Sequence, residues 1–160
     1  MNDHHWISAD VPNGLEVRQV YGFIFDTDGR ILLLEDQGKY NLPGGKPEMG
    51  ENLAETLIRE VLEEVQITIT SVRYLGYQFI AAVEKFAQVR LVAEIDRVQQ
   101  SASDPSTGRQ YKRLLVPPIQ ANELLKWGES GNQQIAAAIA MASQIGISWG
   151  ETPRTTIEIN

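Results

Sequence analysis

The chain contains no cysteine among its 160 residues. It therefore builds neither a disulfide framework nor a cysteine-ligated zinc or iron–sulfur centre, and a cysteine-free composition fits a reducing compartment. The opening MNDHHWISADVPNG lacks the basic and apolar regions of a secretory signal. No apolar run approaches the roughly 20 residues that a membrane span needs. A cytoplasmic protein with no membrane partner is expected. Basic residues are also in short supply, with 14 Lys and Arg against 21 Asp and Glu and a formal net charge of −7. Binding to a nucleic acid polymer calls for a basic footprint, so none is expected here. If the ligand is a smaller polyanion, something must neutralise it locally, and a metal ion is the natural candidate.

What is present is an ordinary globular balance, 42% hydrophobic and 22% charged, in a chain long enough for one domain with its own core. Residues 1–15 show no clear period, contain the turn signal Pro12-Asn13-Gly14, and read as an N-terminal arm. His4 and His5 lie in this arm, where adjacent histidines ordinarily carry no function. Residues 16–147 read as the domain proper. The tail, 148–160, is mixed and has no assignable element.

Within the domain, EVRQVYGFIF (16–25) and ILLL (31–34) read as strands joined by the loop Asp26-Thr27-Asp28-Gly29-Arg30. Pro43-Gly44-Gly45 forces a turn. A helix is expected from about Asn52 to Val65, then strands over 71–82, 88–95 and 111–116. The polar stretch 97–109, with Asp104-Pro105-Ser106-Thr107-Gly108, reads as a surface loop long enough to be functional. A short helix is expected at 121–127, a break at Gly128–Gly131, and an alanine-rich helix at 132–144 with Asn132 as its N-cap. Strands interleaved with helices predict an α/β fold, a mixed β-sheet sandwiched between α-helices.

The chemistry concentrates in GGKPEMGENLAETLIREVLEEVQI (44–67). On a wheel turning roughly 100° per residue from Glu60, Ala54, Leu57, Ile58, Val61, Leu62 and Val65 share an arc from about 60° to 200°, the expected core face. Glu60, Glu63 and Glu64 crowd into a sector of roughly 100° beside it. Like charges so close are mutually destabilising, and hard divalent cations held by a few carboxylates plus substrate phosphates would relieve them. Arg59, four residues from both Glu55 and Glu63, is placed to pair with either. Glu51 stands at the helix entrance, where a carboxylate favours the dipole. The glycines of Gly44-Gly45-Lys46-Pro47 permit close backbone approach, their carbonyls can ligate metal, and Lys46 supplies one cation for phosphate. An acidic amphipathic helix by itself is most often a solvated face; the spacing argues for more.

That spacing resembles the signature of the MutT-like Nudix hydrolase family. Gly45, Glu51, Arg59, Glu60, Val61, Glu63, Glu64 and Ile67 all fall in register, preceded by the typical Leu42-Pro43-Gly44. A long pattern with two fixed gaps is far more specific than a lone glycine motif. One position departs: Gln66 stands where the family has glycine, a C-cap at which a left-handed backbone is common and a side chain costs on the order of 1 kcal/mol.

The resemblance implies the Nudix fold over about residues 16–145, and Mg²⁺- or Mn²⁺-dependent hydrolysis of a diphosphate linkage in a small nucleotide-like substrate. It implies Glu60, Glu63 and Glu64 as metal ligands, with a carbonyl at Gly44 or Gly45 joining. Arg59 would orient a glutamate, Glu51 would support the loop–helix junction or a metal-bound water, and Glu60 is assigned as the general base. Glu84 and Glu94 are weighed as an extra ligand or base, although ordinary surface roles are commoner for such carboxylates. Tyr77, Phe79 and Trp127 are aromatic enough to stack on a base, although buried rings are usually core. Many relatives form homodimers. The alternatives are a Nudix-fold nucleotide-binding or regulatory module without turnover, and an isomerase, for which no histidine or cysteine is placed.

Overall fold

In the computed structural model, which describes residues 3–147 and 153–160, the described strands form one mixed sheet. The order is β1 (Asp3–Ile7), β6 (Ile67–Ala81), β7 (Lys85–Val98), β2 (Glu16–Phe25), β3 (Ile31–Asp36), β8 (Lys112–Val116) and β9 (Ile157–Ile159). Two short strands lie off this path, β4 (Lys39–Asn41) on β3 and β5 (Gly44–Gly45) on β2. Only β2 and β7 run parallel among the paired strands; β2 and β3 pair at the single position Phe25–Ile31. The sheet is therefore splayed between its two halves.

Period-two alternation assigns the faces. On β2 and β3, Val20, Ile24, Leu32 and Leu34 point into the cluster that receives Leu57, Val61 and Val65 of α1 (Leu53–Val65). Phe23, Phe25, Ile31 and Leu33 point the other way, toward α2 (Pro118–Leu125) and α3 (Gly128–Gln144). Gly22 belongs to the α1 face, and a side chain there would meet the Leu57 methyl groups. The sheet is thus held between helices, as the α/β reading expected, and α1 lies close against β2.

Several boundaries differ from the sequence reading for physical reasons. The N-terminal stretch read as an arm contains β1, which pairs with the edge of β6 from Asp3–Ala81 to Ile7–Tyr77. A polar five-residue strand carries too little alternation to be read, and Gly76 makes room for it by letting Trp6 and the Ile7 carbonyl approach. β6 and β7 are longer than expected because bulges, one beside the left-handed Ser71, interrupt a continuous ladder. Gly128–Gly131 is the first turn of α3 rather than a break. A side chain at Gly131 would collide with Asn122, which ties α2 to α3 through Gly128 O (2.7 Å) and Asn132 Oδ1 (2.9 Å). Asn132 is therefore a mid-helix partner, and Trp127 holds the cap position. Part of the tail also joins the sheet, as β9 on β8; residues 148–152 lie outside the described set. Among the described residues no helix is long and apolar enough to cross a membrane.

Helix α1 is rolled about its axis relative to the wheel. Thr56, Leu57, Val61 and Val65 are buried, whereas Ile58 and Leu62 remain 42% and 40% exposed. The buried sector is centred roughly 80° nearer the glutamates than hydrophobicity alone places it. This rotation carries Glu60 and Glu64 against the sheet.

Candidate active site

The helix begins with a reciprocal capping box: Asn52 Oδ1 accepts from Glu55 N (2.8 Å) and Glu55 Oε1 accepts from Asn52 N (3.1 Å). Glu55 is committed to this cap, so the expected Glu55–Arg59 pair is not what Arg59 uses. Ahead of the helix, β5 lays Gly44 and Gly45 against Tyr21 and Val20 of β2. A side chain on Gly44 would strike the Val20 carbonyl and the Tyr21 backbone. One on Gly45 would fall on the Glu60 carboxyl group. The two glycines thus serve two glutamates. Gly44 N donates to Glu64 Oε1 (2.7 Å), and the bare Cα of Gly45 leaves the space in which Glu60 lies.

Arg59 organises the polar side of the cluster. Its Nε and Nη2 grip Glu51 through both carboxylate oxygens (2.6 and 3.0 Å). Its Nη1 bridges Glu60 Oε1 (2.9 Å) and Glu63 Oε2 (3.4 Å), and its Nη2 also donates to the Lys46 carbonyl (3.0 Å). Glu51 further accepts from Glu48 N (2.8 Å) and Thr56 Oγ1 (3.0 Å), so it knots loop to helix. Lys46 itself is exposed at the rim.

These contacts separate the carboxyl groups electrostatically. The Arg59 guanidinium, helped by the Glu48 amide, holds Glu51 down to about 2. Burial pushes Glu64 up to about 8; the Gly44 amide opposes this, while Glu60, Asp104 and Glu63 reinforce it. Glu60 is also raised, chiefly by burial, against the pull of Arg59. Burial lifts the Tyr21 phenol, and the charges of Glu64 and Glu60 add to the effect.

Asp104 is the acidic residue that sequence reasoning passed over. It is 4% exposed, in the loop between β7 and β8, and its charge acts on both Glu60 and Glu64. Its Oδ1 accepts from Ser106 N (2.8 Å), the turn bond that made it read as a simple turn former. The signal available was its position in a long loop without apolar anchors. Of the carboxylates that were weighed instead, Glu84 is exposed and paired with Arg18 on the β6–β7 turn. Glu94 lies on β7 at the level of Phe25.

Gln66, the irregular position, does adopt the left-handed cap (φ 54°, ψ 44°). Its side chain spans the helix end and the loop, donating from Nε2 to Glu63 O (2.9 Å) and accepting at Oε1 from Ala102 N (2.9 Å). Its carbonyl accepts from Gln99 N (2.9 Å). Arg113 adds donors to Val65 O and Gln99 O (3.1 and 2.8 Å). Glutamine at this position thus fastens the loop that carries Asp104.

The donor set suits a hard divalent cation, being carboxylate and carbonyl oxygen throughout. Among the described residues no three acidic or histidine side chains already converge as a finished metal cage, and Arg59 Nη1 sits between Glu60 and Glu63.

Comparison with known proteins identifies the family. The NUDIX domain family model matches residues 16–138. YtkD of Bacillus subtilis strain 168, whose name carries a provisional 8-oxo-dGTP diphosphatase assignment, is 34% identical over 76 residues, 46% of this chain and 48% of that protein. The chain thus spans about half the length of this curated relative. Among solved structures, the Bacillus subtilis pyrophosphohydrolase BsRppH is similar with a TM-score of 0.56 at 26% identity, over 64% of this chain and 65% of that one. A NUDIX hydrolase from Nitrosomonas europaea shares the fold with a TM-score of 0.61 at 18% identity, over 79% and 90% of the two chains. The family match embraces the glycine turn, helix α1 and the strands that position them, and the chain belongs to the Nudix family.

Proposed function

We propose that the protein is a hydrolase of phosphoric anhydride bonds that cleaves a diphosphate linkage in a nucleoside diphosphate derivative, with Mg²⁺ as cofactor and Mn²⁺ as its substitute. The observation that carries this reading is the burial of Glu64 under the Gly44 amide beside Glu60 and Asp104. A substrate diphosphate brought to that place adds negative charge where negative charge is already costly, so a cation belongs with it. Glu60, Glu63 and Glu64 would hold the cation, with the Gly45 carbonyl as a further oxygen. Bound there, it supplies charge neutralisation and a more acidic water. Arg59 orients Glu51 and Glu60 through its fork, and Glu51 keeps the glycine turn against the helix. Lys46 at the rim meets the outer phosphate, and the Gly44 amide fixes the Glu64 oxygen to which it donates. Either Glu60 or the loop residue Asp104 would take the proton from water. A cytoplasmic setting and a homodimer belong to the same proposal; sedimentation at micromolar concentration tests the latter.

The test is a panel of nucleoside triphosphates, dinucleoside polyphosphates, ADP-ribose and 8-oxo-dGTP with Mg²⁺, following phosphate or nucleotide release for wild type and Glu64→Gln. Turnover of at least one member, lost in the variant, supports the reading; equal turnover by the variant sinks the Glu64 assignment. The second reading, a nucleotide-binding module without turnover, is favoured by one feature, the Arg59 bridge already joining Glu60 to Glu63. Tight binding with no turnover across the panel would establish it.

A further inference from the structure

Arg113 of β8 is a guanidinium only 1% exposed. Among the described residues its hydrogen bonds all go to backbone carbonyls: Nη1 donates to Val65 O (3.1 Å) and Gln99 O (2.8 Å), and Nη2 to Asn160 O (2.8 Å). Its Nε makes none there. The three carbonyls come from segments far apart in the chain: the last residue of α1, the stretch between β7 and β8, and the residue after β9. Helix α1 has no basic residue in its own last turn, so Arg113 supplies the cation that its free carbonyl end favours. An apolar side chain of similar length would fill the space without the cost of burying a charge. A guanidinium is needed at this point only to hold separate segments together.

One of those segments leads to Asp104. The loop leaves the junction already tied to Gln66, through Gln99 N and Ala102 N (both 2.9 Å). Its returning arm is braced to the outgoing one by Gln110 Nε2, which donates to Ser101 Oγ (2.9 Å). Between the arms the tip closes on itself: Asp104 N donates to Arg109 O (2.8 Å), and Asp104 O accepts from Gly108 N (2.7 Å). A tip closed in this way moves as a unit, so the stem sets where Asp104 lies relative to Glu60 and Glu64. Arg113 grips that stem.

The other segment is the strand β9, which pairs with β8 so that Ile159 lies opposite Arg113. The residues leading into it are pinned as well, Arg30 Nε donating to Thr155 O (2.8 Å) and Thr156 Oγ1 to Gln120 Oε1 (3.1 Å). β9 is thus a fastened strap along the edge of the sheet, and it ends on the guanidinium.

We propose that Arg113 is a positioning residue for the reaction, fixing the Asp104 loop against the glutamate end of α1, with β9 as the strap that seats it. The proposal rests on the reading that the diphosphate is cleaved at the glutamate cluster.

The test takes initial rates with Mg²⁺ on the panel member that wild type hydrolyses fastest. The variants are Arg113→Met, Arg113→Lys, Ile159→Pro, and Arg113→Met combined with Ile159→Pro. A urea melt of each gives its folded fraction, and amide exchange in EDTA reports on the loop without turnover. Per folded molecule, kcat should fall at least about tenfold in Arg113→Met while KM stays within about twofold, since misplacing a reacting group costs rate rather than affinity. Arg113→Lys should recover part of the loss, because an ammonium still donates to carbonyls. Ile159→Pro interrupts the β8–β9 ladder and should lower kcat in the same way. The double variant should be no slower than Arg113→Met, because the strap acts through Arg113. Exchange at Gln99, Ala102 and Asp104 should quicken in Arg113→Met and in Ile159→Pro. Unchanged kcat per folded molecule in Arg113→Met overturns the proposal, as does a double variant in which the two losses add in full. Should Arg113→Met fail to fold, unchanged kcat and unchanged loop exchange in Ile159→Pro overturn it. Wild-type turnover that survives both substitutions would remove this inference and leave the hydrolase reading. No turnover of any panel member would remove the hydrolase reading, and the exchange measurement would then decide the tether: quickened exchange keeps it, unchanged exchange removes it.

Discussion

Replacing Glu64 by Gln removes a carboxyl group whose ionisation the metal-free fold opposes, and the consequence is measurable as stability. Glu64 is raised from an ordinary 4.5 to about 8, first by burial and then by neighbouring carboxylates. Between those values the folded chain keeps a proton that the unfolded chain has released. Its stabilising contribution is complete below the unfolded value and is lost as pH rises through the folded one. A shift of this size corresponds to at most about 5 kcal/mol across the window, at roughly 1.4 kcal/mol per unit. Glutamine keeps an oxygen for the Gly44 amide without the ionisation. The assay is urea denaturation of wild type and Glu64→Gln in EDTA at several values between about pH 5 and pH 9. The wild type should lose several kcal/mol relative to the variant as pH rises, and Mg²⁺ should restore the wild type and leave the variant unmoved. Parallel pH profiles would refute the burial argument, and equal stabilisation of both proteins by Mg²⁺ would refute the placement of the cation.

Two further substitutions probe the supports of the site. Gly45→Ala puts a methyl group where the Glu60 carboxyl lies. The flexible end of Glu60 can swing aside, so stability should change by no more than about 1 kcal/mol while turnover falls on the order of 100-fold through misplacement; initial rates beside a urea melt separate the two. Gln66→Gly relieves the left-handed strain, about 1 kcal/mol, but forfeits two side-chain hydrogen bonds of similar individual worth. A net loss of about 1 kcal/mol is expected, with faster amide exchange at Ala102, and a variant more stable than wild type would contradict the anchoring role.

The sequence alone determined the segment that forms the candidate active site. Gly45, Glu51, Arg59, Glu60, Glu63 and Glu64 interact through spacings along one turn and one helix, and local contacts of that kind are written in the order of residues. It also determined the mixed α/β character, since the β-rich stretch 16–25, the apolar run 31–34 and the helical periodicity in 53–65 each belong to a single element. Tertiary structure decided whatever depends on elements distant in the chain. The roll of α1, which exposes Ile58 and Leu62 and partly buries Glu64, accompanies the packing of Leu57 over Gly22. The approach of Asp104 comes from a loop fastened by Gln66, two residues that looked like a turn former and an irregularity. β1 became a strand only because β6 offered it an edge. Arg113 could be read as one basic residue on a short strand, and its seat among the carbonyls of Val65, Gln99 and Asn160 exists only where helix, loop and strands meet. Burial, and with it the cost of an unpaired charge, is a property of that meeting rather than of any stretch of sequence.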